Sequence, residues 1–251
     1  MEENKVEEVK EVEEVENVAE GIKISYMNII YAAIVRIIHE RPHLNWFVMN
    51  GTLYERNKIY VSLAIKKSLS DEGQETVTKI GYDGTENIFE IKDKLEKAIE
   101  KNKDTATVNN TDKAIKFFNL VPNTLILWTV RLLKLLDKYG LMPKFIINLS
   151  PFHTSVFLTN VGSLGIDSIY HHIYNFGTTS MFFSMGKKKK SFIYEDDEIR
   201  EEKCITIAFV GDERICDGYY YATSFKQLTK YLKKPELLES DVEEKEKIKN
   251  N

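Results

Sequence analysis

Two segments in the second half of the chain place polar side chains directly beside apolar, strand-forming runs. Residues 154–165 read TSVFLTNVGSLG and contain the hydroxyl side chain of Thr159. Residues 205–218 read ITIAFVGDERICDG, in which Glu213 and Asp217 follow the apolar run. A hydroxyl group can donate a hydrogen bond to a reacting oxygen, and a carboxylate can accept a proton. These residue types allow acid–base chemistry, but neither segment alone defines a reaction.

The elements around these segments are predicted to be strands, closed by a helix over Tyr219–Lys233. Apolar alternation and β-branched residues predict the strands, which are Phe145–Leu149, Ser155–Thr159, Ser180–Met185, Ser191–Tyr194 and Cys204–Val210. The four lysines Lys187–Lys190 fall between two of these strands, and a solvated hairpin turn is their preferred interpretation.

The first half of the chain alternates helices and strands. Ser25 can cap a helix over Met27–Glu40, and Asn50-Gly51 is a strong signal for a hairpin turn. The remaining predicted elements are the strands Leu44–Met49, Lys58–Ile65 and Glu75–Gly81 and the helix Asn87–Asn102. Intermixed helices, hairpins and crossovers predict an α/β or α+β sandwich with a mixed sheet.

The stretch 112–143 predicts two helices, Asp112–Leu120 and Asn123–Tyr139, separated at Pro122. The second is unusually apolar and is interrupted by Arg131 and Lys134. Three interpretations are open: a buried core helix or subunit contact, a lid over an apolar substrate, and a helix lying on a membrane surface.

Composition bounds the remaining function classes. With 251 residues, 43% hydrophobic and 29% charged, the chain can bury a sizeable core. The net charge of −4 gives no sign of nucleic-acid binding. The two cysteines, Cys204 and Cys216, predict neither a disulfide framework nor a metal site, and a cytoplasmic location is expected. No secretory signal and no membrane span are expected from the sequence.

The two ends of the chain are highly charged. Residues 1–20 carry nine Glu against Lys5 and Lys10, which predicts a solvated, partly frayed helix or, alternatively, a helix that binds a partner. We therefore expect an acidic segment over 1–21, one domain over 22–238 with its apolar helical insertion at 112–143, and a charged tail over 239–251.

The two polar segments, in this order, resemble the catalytic domain of 2-oxo acid dehydrogenase acyltransferases and chloramphenicol acetyltransferases. Dihydrolipoamide acyltransferases carry a strand and turn similar to T-F-T-I-S-N-L-G, then a final strand ending in D-H-R-x-x-D-G, where this chain has D-E-R-I-C-D-G. The turn RPHLN at 41–45 and the sequence KPELL at 234–238 resemble two further family features. The resemblance spans roughly residues 22–238.

The resemblance implies a chloramphenicol-acetyltransferase-like fold, a two-layer α/β sandwich with a mixed sheet, and transfer of an acyl group from acyl-CoA to a thiol or hydroxyl. It implies a homotrimer, or a larger cage, with active sites between subunits. No bound cofactor is implied, since coenzyme A is a substrate, and Lys187–Lys190 could alternatively contact its phosphates. By position, Thr159 donates a hydrogen bond to the oxyanion, Asn160 is its neighbour, and Asp217 anchors the loop through an ion pair.

The family's catalytic histidine is replaced here by Glu213. A glutamate has a pKa of about 4.3 against about 6.5 for histidine, so deprotonating a thiol of pKa about 8.5 is roughly 3 kcal/mol harder. Burial could raise the glutamate pKa and narrow the gap. Two functions remain open: acyl transfer with Glu213 as a retuned base, and a non-catalytic trimeric scaffold or regulatory homologue.

Another histidine could substitute for the missing one. The chain has five histidines, and each is also explained as a surface or hydrogen-bonded structural residue. His153 is the first candidate, because it precedes Thr154 and Ser155 and is expected to approach the channel. His153, Ser155 and Asn160 are therefore the predicted substrate-channel residues.

Overall fold

The computed structural model describes residues 14–15, 23–66, 75–103, 122–195 and 197–242. Its helices are α1 (Tyr26–Glu40), α2 (Ile88–Lys103), α3 (Asn123–Lys138), α4 (Lys144–Leu149) and α5 (Gly218–Lys233). Its strands are β1 (Glu14–Val15), β2 (Ile24–Ser25), β3 (Trp46–Met49), β4 (Thr52–Glu55), β5 (Ile59–Lys66), β6 (Glu75–Tyr82), β7 (Val156–Asn160), β8 (Met181–Glu195) and β9 (Glu198–Gly211). Short 3-10 helices cover Pro42–Asn45, Val161–Leu164 and Pro235–Leu238. The predicted helix Asp112–Leu120 and most of both charged ends lie outside the described residues.

A five-stranded mixed sheet forms one layer, in the order β6-β5-β7-β8-β9. β5 runs antiparallel to β6 and parallel to β7, while β8 runs parallel to β7 and antiparallel to β9. Parallel neighbours need crossover connections, which the intervening helices and loops supply. The predicted α/β sandwich with a mixed sheet is confirmed.

One face of the sheet is covered by α1, α2 and α5, and the hydrophobic core lies between them and the sheet. The side-chain oxygen of Ser25 accepts a hydrogen bond from the Asn28 N–H at 3.2 Å, which caps α1 as predicted. α1 is buried along most of its length. An apolar helix in this position acts as the central support of the fold.

The hairpin of β3 and β4 turns at Asn50 and Gly51, as the sequence predicted. Both residues have positive φ, 49° and 76° respectively. This is the conformation of a type I′ turn, which Asn-Gly favours because it matches the strand twist.

The second face of the sheet is covered by the segment 166–180 rather than by a helix. His171 stacks on Phe182 with ring centroids 4.4 Å apart, and Tyr174 contacts Phe157 at 5.9 Å. The Lys187 N–H donates to the Ile166 carbonyl at 2.9 Å. The side chains of β7 and β8 on this face therefore lie beneath the loop formed by residues 166–180.

Two local predictions were wrong. Phe145–Leu149 is not a strand but lies in the short helix α4, which begins directly after Pro143. A short apolar run does not distinguish helix from strand by periodicity, and a proline immediately before a run favours helix initiation.

Lys187–Lys190 is not a hairpin turn, because β8 continues through it to Glu195 and pairs with β9 again from Lys188 onward. A register shift between Met185 and Lys188 marks a bulge. Beyond it, Lys189 pairs with Asp167 and Lys190 with Glu201, both at 2.5 Å. The lysines fit a strand here because the hairpin is exposed and acidic partners lie beside it.

Candidate active site

Thr159 lies near the end of β7 on the second face of the sheet. Side chains alternate along a strand, so Val156 and Leu158 enter the helix-covered core while Phe157 and Thr159 point to the opposite face. Thr159 is only 9% exposed, and its Oγ1 has no hydrogen-bond partner among the described residues. Buried hydroxyls are normally paired, so this oxygen is a donor available to a ligand.

The turn after Thr159 is held by Asn160. Its Oδ1 accepts from the Ser163 N–H at 3.2 Å, and its carbonyl accepts from the Ser163 hydroxyl at 2.7 Å. Gly162 packs directly against the Gly186 backbone, where any side chain would collide. The asparagine therefore caps the 3-10 helix Val161–Leu164 and fixes the backbone next to Thr159.

Glu213 is exposed in the turn between β9 and α5. The turn is fixed at Asp212, the residue before Glu213. The Asp212 N–H donates to the Ser180 carbonyl at 2.9 Å, and the Tyr221 hydroxyl donates to the Asp212 carbonyl at 3.0 Å. The Glu213 carboxylate is thus presented to solvent from a rigid loop.

Asp217 lies in the same turn and forms no ion pair with the residues that the structure describes. It is the N-cap of α5, and its Oδ1 accepts from the Tyr220 N–H at 2.8 Å. The ion pair of this turn joins Arg214 Nη2 to Asp212 Oδ2 at 2.6 Å. Burial raises the pKa of Asp212, but the hydrogen bonds and charge of Arg214 outweigh it and bring that pKa below its ordinary value.

Thr159 and Glu213 do not meet within one chain. Across the sheet, Thr159 of β7 pairs with Ser184 of β8, and Ser184 pairs with Ala208 of β9. Gly211 of β9 pairs with Met181 of β8, so it belongs to a different row of paired residues. The two rows are three residues apart, which is roughly 10 Å along the strands, and two strand spacings add roughly 10 Å across the sheet. Glu213 lies beyond Gly211, so a reaction that uses both side chains needs a second copy of the chain.

Ser155 lies directly before β7, where it contacts two other elements. It is fully buried, and its hydroxyl donates to Asn45 Oδ1 at 2.6 Å while accepting from the Tyr60 N–H at 3.0 Å. It joins β7 to β5 and to the turn before β3. Its role in this structure is to hold three elements together.

Ser155→Ala is expected to lower the free energy of unfolding by about 1–3 kcal/mol, because it leaves the Tyr60 N–H and the Asn45 amide without their buried partner. Urea unfolding at neutral pH measures this loss. Ser191→Ala, which truncates a serine in the exposed part of β8, is the matched control and should change stability by less than about 0.5 kcal/mol. Equal stability of both variants would contradict the structural role.

His153 is buried and hydrogen-bonded at both ring nitrogens. Nε2 lies 2.7 Å from Asp137 Oδ1, and Nδ1 lies 2.8 Å from the Ser150 hydroxyl. Asp137 Oδ2 also accepts from the Gly177 N–H at 2.8 Å. The sequence singled out His153, but it did not predict its two partners. Two features of the sequence could have indicated these partners. They are the short spacing between Ser150 and His153 and the presence of an aspartate, Asp137, in the apolar helix α3.

Asp137 ties α3 to the body of the protein, and this tie should depend on pH. Burial raises the pKa of Asp137, but the hydrogen bonds from His153 and Gly177 outweigh it, so that pKa lies below its ordinary value of 3.8. A carboxyl with a depressed pKa stabilises the fold fully above its unfolded pKa, and this stability is lost as the pH falls through the folded pKa. We expect Asp137→Asn to reduce the loss of stability below about pH 4, measured by urea unfolding across pH 3–7. An unchanged pH profile would contradict this expectation.

α3 exposes most of its apolar side chains, and none of its residues is buried. Leu125, Trp128, Leu132 and Leu135 share one side of the helix, and Trp128 is 68% exposed. The buried-core interpretation is therefore wrong for a single chain. The subunit-contact interpretation stays a prediction. No described helix is both long enough and apolar enough to cross a bilayer.

Comparison with known proteins supports the resemblance seen in the sequence. Residues 152–239 match the family model described as 2-oxoacid dehydrogenases acyltransferase (catalytic domain). The matched region includes Thr159, Asn160, Glu213 and Asp217. No curated protein sequence matches the chain significantly.

Solved structures share the fold. A probable dihydrolipoamide acetyltransferase from Listeria monocytogenes superimposes with a TM-score of 0.54 at 17% identity, covering 86% of this chain and 73% of that one. The cubic core of a pyruvate dehydrogenase multienzyme complex gives 0.54 at 12% identity, covering 87% and 72%. An Azotobacter vinelandii dihydrolipoamide acetyltransferase, studied for the role of a serine, a histidine and an asparagine in its mechanism, gives 0.53 at 13%, covering 87% and 72%. The chain therefore has the fold of the 2-oxo acid dehydrogenase acyltransferase core.

Proposed function

We propose that the chain is a CoA-dependent acyltransferase whose active site forms between two subunits. In this proposal, Thr159 of one subunit and Glu213 of its neighbour face the same acyl thioester. The buried hydroxyl of Thr159, which has no hydrogen-bond partner in the described part of the chain, carries the proposal. A fold does not keep a buried donor unpaired without a cost of about 1–3 kcal/mol, and a developing oxyanion is a partner that would use it.

The proposed reaction uses these two groups in turn. The Glu213 carboxylate takes the proton from the thiol or hydroxyl of an acceptor, whose sulfur or oxygen attacks the carbonyl carbon of acyl-CoA. Thr159 donates a hydrogen bond to the oxyanion that forms. Collapse of the intermediate re-forms the carbonyl and breaks the C–S bond, and the CoA thiolate recovers the proton from Glu213.

The separation of Thr159 and Glu213 supports an arrangement between subunits. Within one chain, Thr159 lies near one end of the paired strands and Glu213 lies beyond their other end. Both side chains can therefore reach one substrate only if a neighbouring subunit supplies one of them. A closed trimer repeats such a heterologous contact three times and satisfies every subunit equally. The exposed apolar side of α3 is available for contact in such an assembly.

The test is binding of acetyl-CoA by calorimetry, combined with a free-thiol release assay over a panel of thiol, hydroxyl and amine acceptors. Acceptor-dependent release of CoA that is lost in Glu213→Gln supports the proposal. Full turnover by Glu213→Gln would remove Glu213 from the mechanism. A second series with longer acyl chains separates a preference for chain length from a lack of binding.

The alternative function is a trimeric scaffold or regulatory homologue without catalysis. The observation that favours it is Glu213 itself, since an exposed carboxylate is a weak base for a thiol of pKa about 8.5. A scaffold would assemble normally but show neither acyl-CoA binding nor acceptor-dependent release. The same calorimetric and thiol-release measurements therefore decide between the two functions.

A further inference from the structure

We propose that Ser150, His153 and Asp137 form a second reactive site, in which Ser150 is a nucleophile toward activated esters or thioesters. The three side chains form a continuous hydrogen-bonded line, with contacts of 2.8 Å from the serine hydroxyl to Nδ1 and 2.7 Å from Nε2 to the carboxylate. A nucleophile, a base within hydrogen-bond reach and a third group that orients the base are the parts that nucleophilic catalysis requires.

The partners of His153 define which nitrogen carries its proton. Asp137 can only accept, so Nε2 donates to it and Nδ1 is left with a lone pair. That lone pair faces the Ser150 hydroxyl, which is the tautomer a general base needs. The order of the ring nitrogens is the reverse of that in serine proteases. The three-residue spacing from Ser150 to His153 enforces this order, since the short loop brings Nδ1 to the serine.

The carboxylate is kept ionised and rigid. Asp137 receives a second hydrogen bond from the Gly177 N–H at 2.8 Å, and its residue is largely shielded from solvent. Gly177 has φ of 86° and packs against the Phe152 carbonyl, where a side chain would collide. The backbone around the site is therefore fixed by close contacts that do not depend on His153.

A cation lies beside the nucleophile. Lys79 Nζ donates to the Ile147 carbonyl at 2.9 Å and to the Ser150 carbonyl at 3.3 Å. Burial, with a smaller effect of Arg56, lowers the pKa of Lys79 to about 8, so the ammonium is still the main form at neutral pH. Its charge favours the negative charge that develops when Ser150 attacks a carbonyl.

A cleft of about 470 Å³ borders this site and indicates the class of substrate. Of the three reactive residues only Asp137 belongs to its lining, which mixes aromatic rings with polar side chains, and Lys134 and Lys138 of α3 supply positive charge. Its volume falls in the range of small-molecule sites, about 300–1,000 Å³. A short acyl or aryl ester that carries a negative charge matches this lining.

The proposed reaction needs water as its only reactant besides the ester or thioester. His153 Nδ1 takes the proton from Ser150, whose oxygen forms a bond to the carbonyl carbon, and the C–O or C–S bond to the leaving group breaks as that group receives the proton. Water, deprotonated by His153, then attacks the acyl-serine and releases the acid with restoration of the serine hydroxyl. The net change is hydrolysis of the ester or thioester.

The test is labelling of the full-length protein by a fluorophosphonate probe, with the modified peptide identified by mass spectrometry. No CoA or acceptor is present, so the result is independent of the acyl-transfer site. We expect labelling at Ser150, its loss in Ser150→Ala and its retention in Ser191→Ala. Thermal unfolding verifies that Ser150→Ala is folded.

Asp137→Asn tests the positioning role of the carboxylate. We expect the labelling rate to fall by about 10²-fold and the pH midpoint of labelling to shift downward, since the imidazole loses its anionic partner. A structural role alone would not move that midpoint. The proposal is overturned if folded wild-type protein is not labelled at Ser150, or if labelling is the same in Asp137→Asn.

Discussion

Thr159→Val should lower the rate of acyl transfer by about 10²–10³-fold, the loss that follows removal of one oxyanion donor. Valine is close to threonine in shape, so the change removes the hydroxyl while keeping the packing of β7. The buried hydroxyl makes no hydrogen bond to a described residue, so its removal should not lower stability and should even raise it slightly. Turnover is measured by release of CoA, and stability by urea unfolding.

Thr159→Ser is the control, since it keeps the hydroxyl and loses only a methyl group. It should retain most of the activity. If Thr159→Val keeps the wild-type rate of acyl transfer, the hydroxyl does not serve the oxyanion. A loss of stability in that variant would show that the hydroxyl serves packing instead.

Glu213→Gln should abolish proton abstraction and lower turnover by about 10²–10⁴-fold, the usual contribution of a general base. Glu213→His should increase it relative to wild type, by up to about 10²-fold with thiol acceptors, because the pKa of histidine lies about two units closer to that of a thiol. The comparison uses initial rates at pH 6–8. Since Glu213 is exposed, neither change should affect folding.

Glu202→Gln, at an exposed position of β9, is the matched control and should leave turnover unchanged. A wild-type rate in Glu213→Gln would contradict the assignment of the base. If Glu213→His shows turnover and the wild-type protein shows none, the scaffold function is favoured. That result would show that the geometry of the active site is preserved but that Glu213 does not work as its base.

The fold could be predicted from the sequence wherever periodicity and turn chemistry agreed. The cap at Ser25, the Asn50-Gly51 turn and the alternation of β5 each identify one conformation. The order of the two polar segments then indicated the acyltransferase core. The same local signals failed at Phe145–Leu149, where a short apolar run fits either a helix or a strand.

The site could be predicted only in part, because its geometry depends on contacts between distant elements. Alternation along β7 implies that Thr159 and Phe157 share a face, but not that the Thr159 hydroxyl lacks a partner among the described residues. Ser155 was expected in a channel, and its partners Asn45 and Tyr60 are far away in sequence. The separation of Thr159 from Glu213 follows from strand register, which a single sequence does not specify.

The most direct test of the proposed site between subunits is complementation between two inactive variants. Thr159→Val and Glu213→Gln, differently tagged, are co-expressed, and mixed oligomers that carry both tags are purified. If Thr159 of one subunit works with Glu213 of its neighbour, some sites in each mixed oligomer combine two intact side chains.

We expect mixed oligomers to recover activity well above that of either variant, because a closed trimer that contains both variants has one intact site in about every three for a heterologous contact. Wild-type protein carried through the same procedure sets the full rate. Mixed oligomers that remain as inactive as their parents, beside an active wild type, would contradict a site shared between subunits.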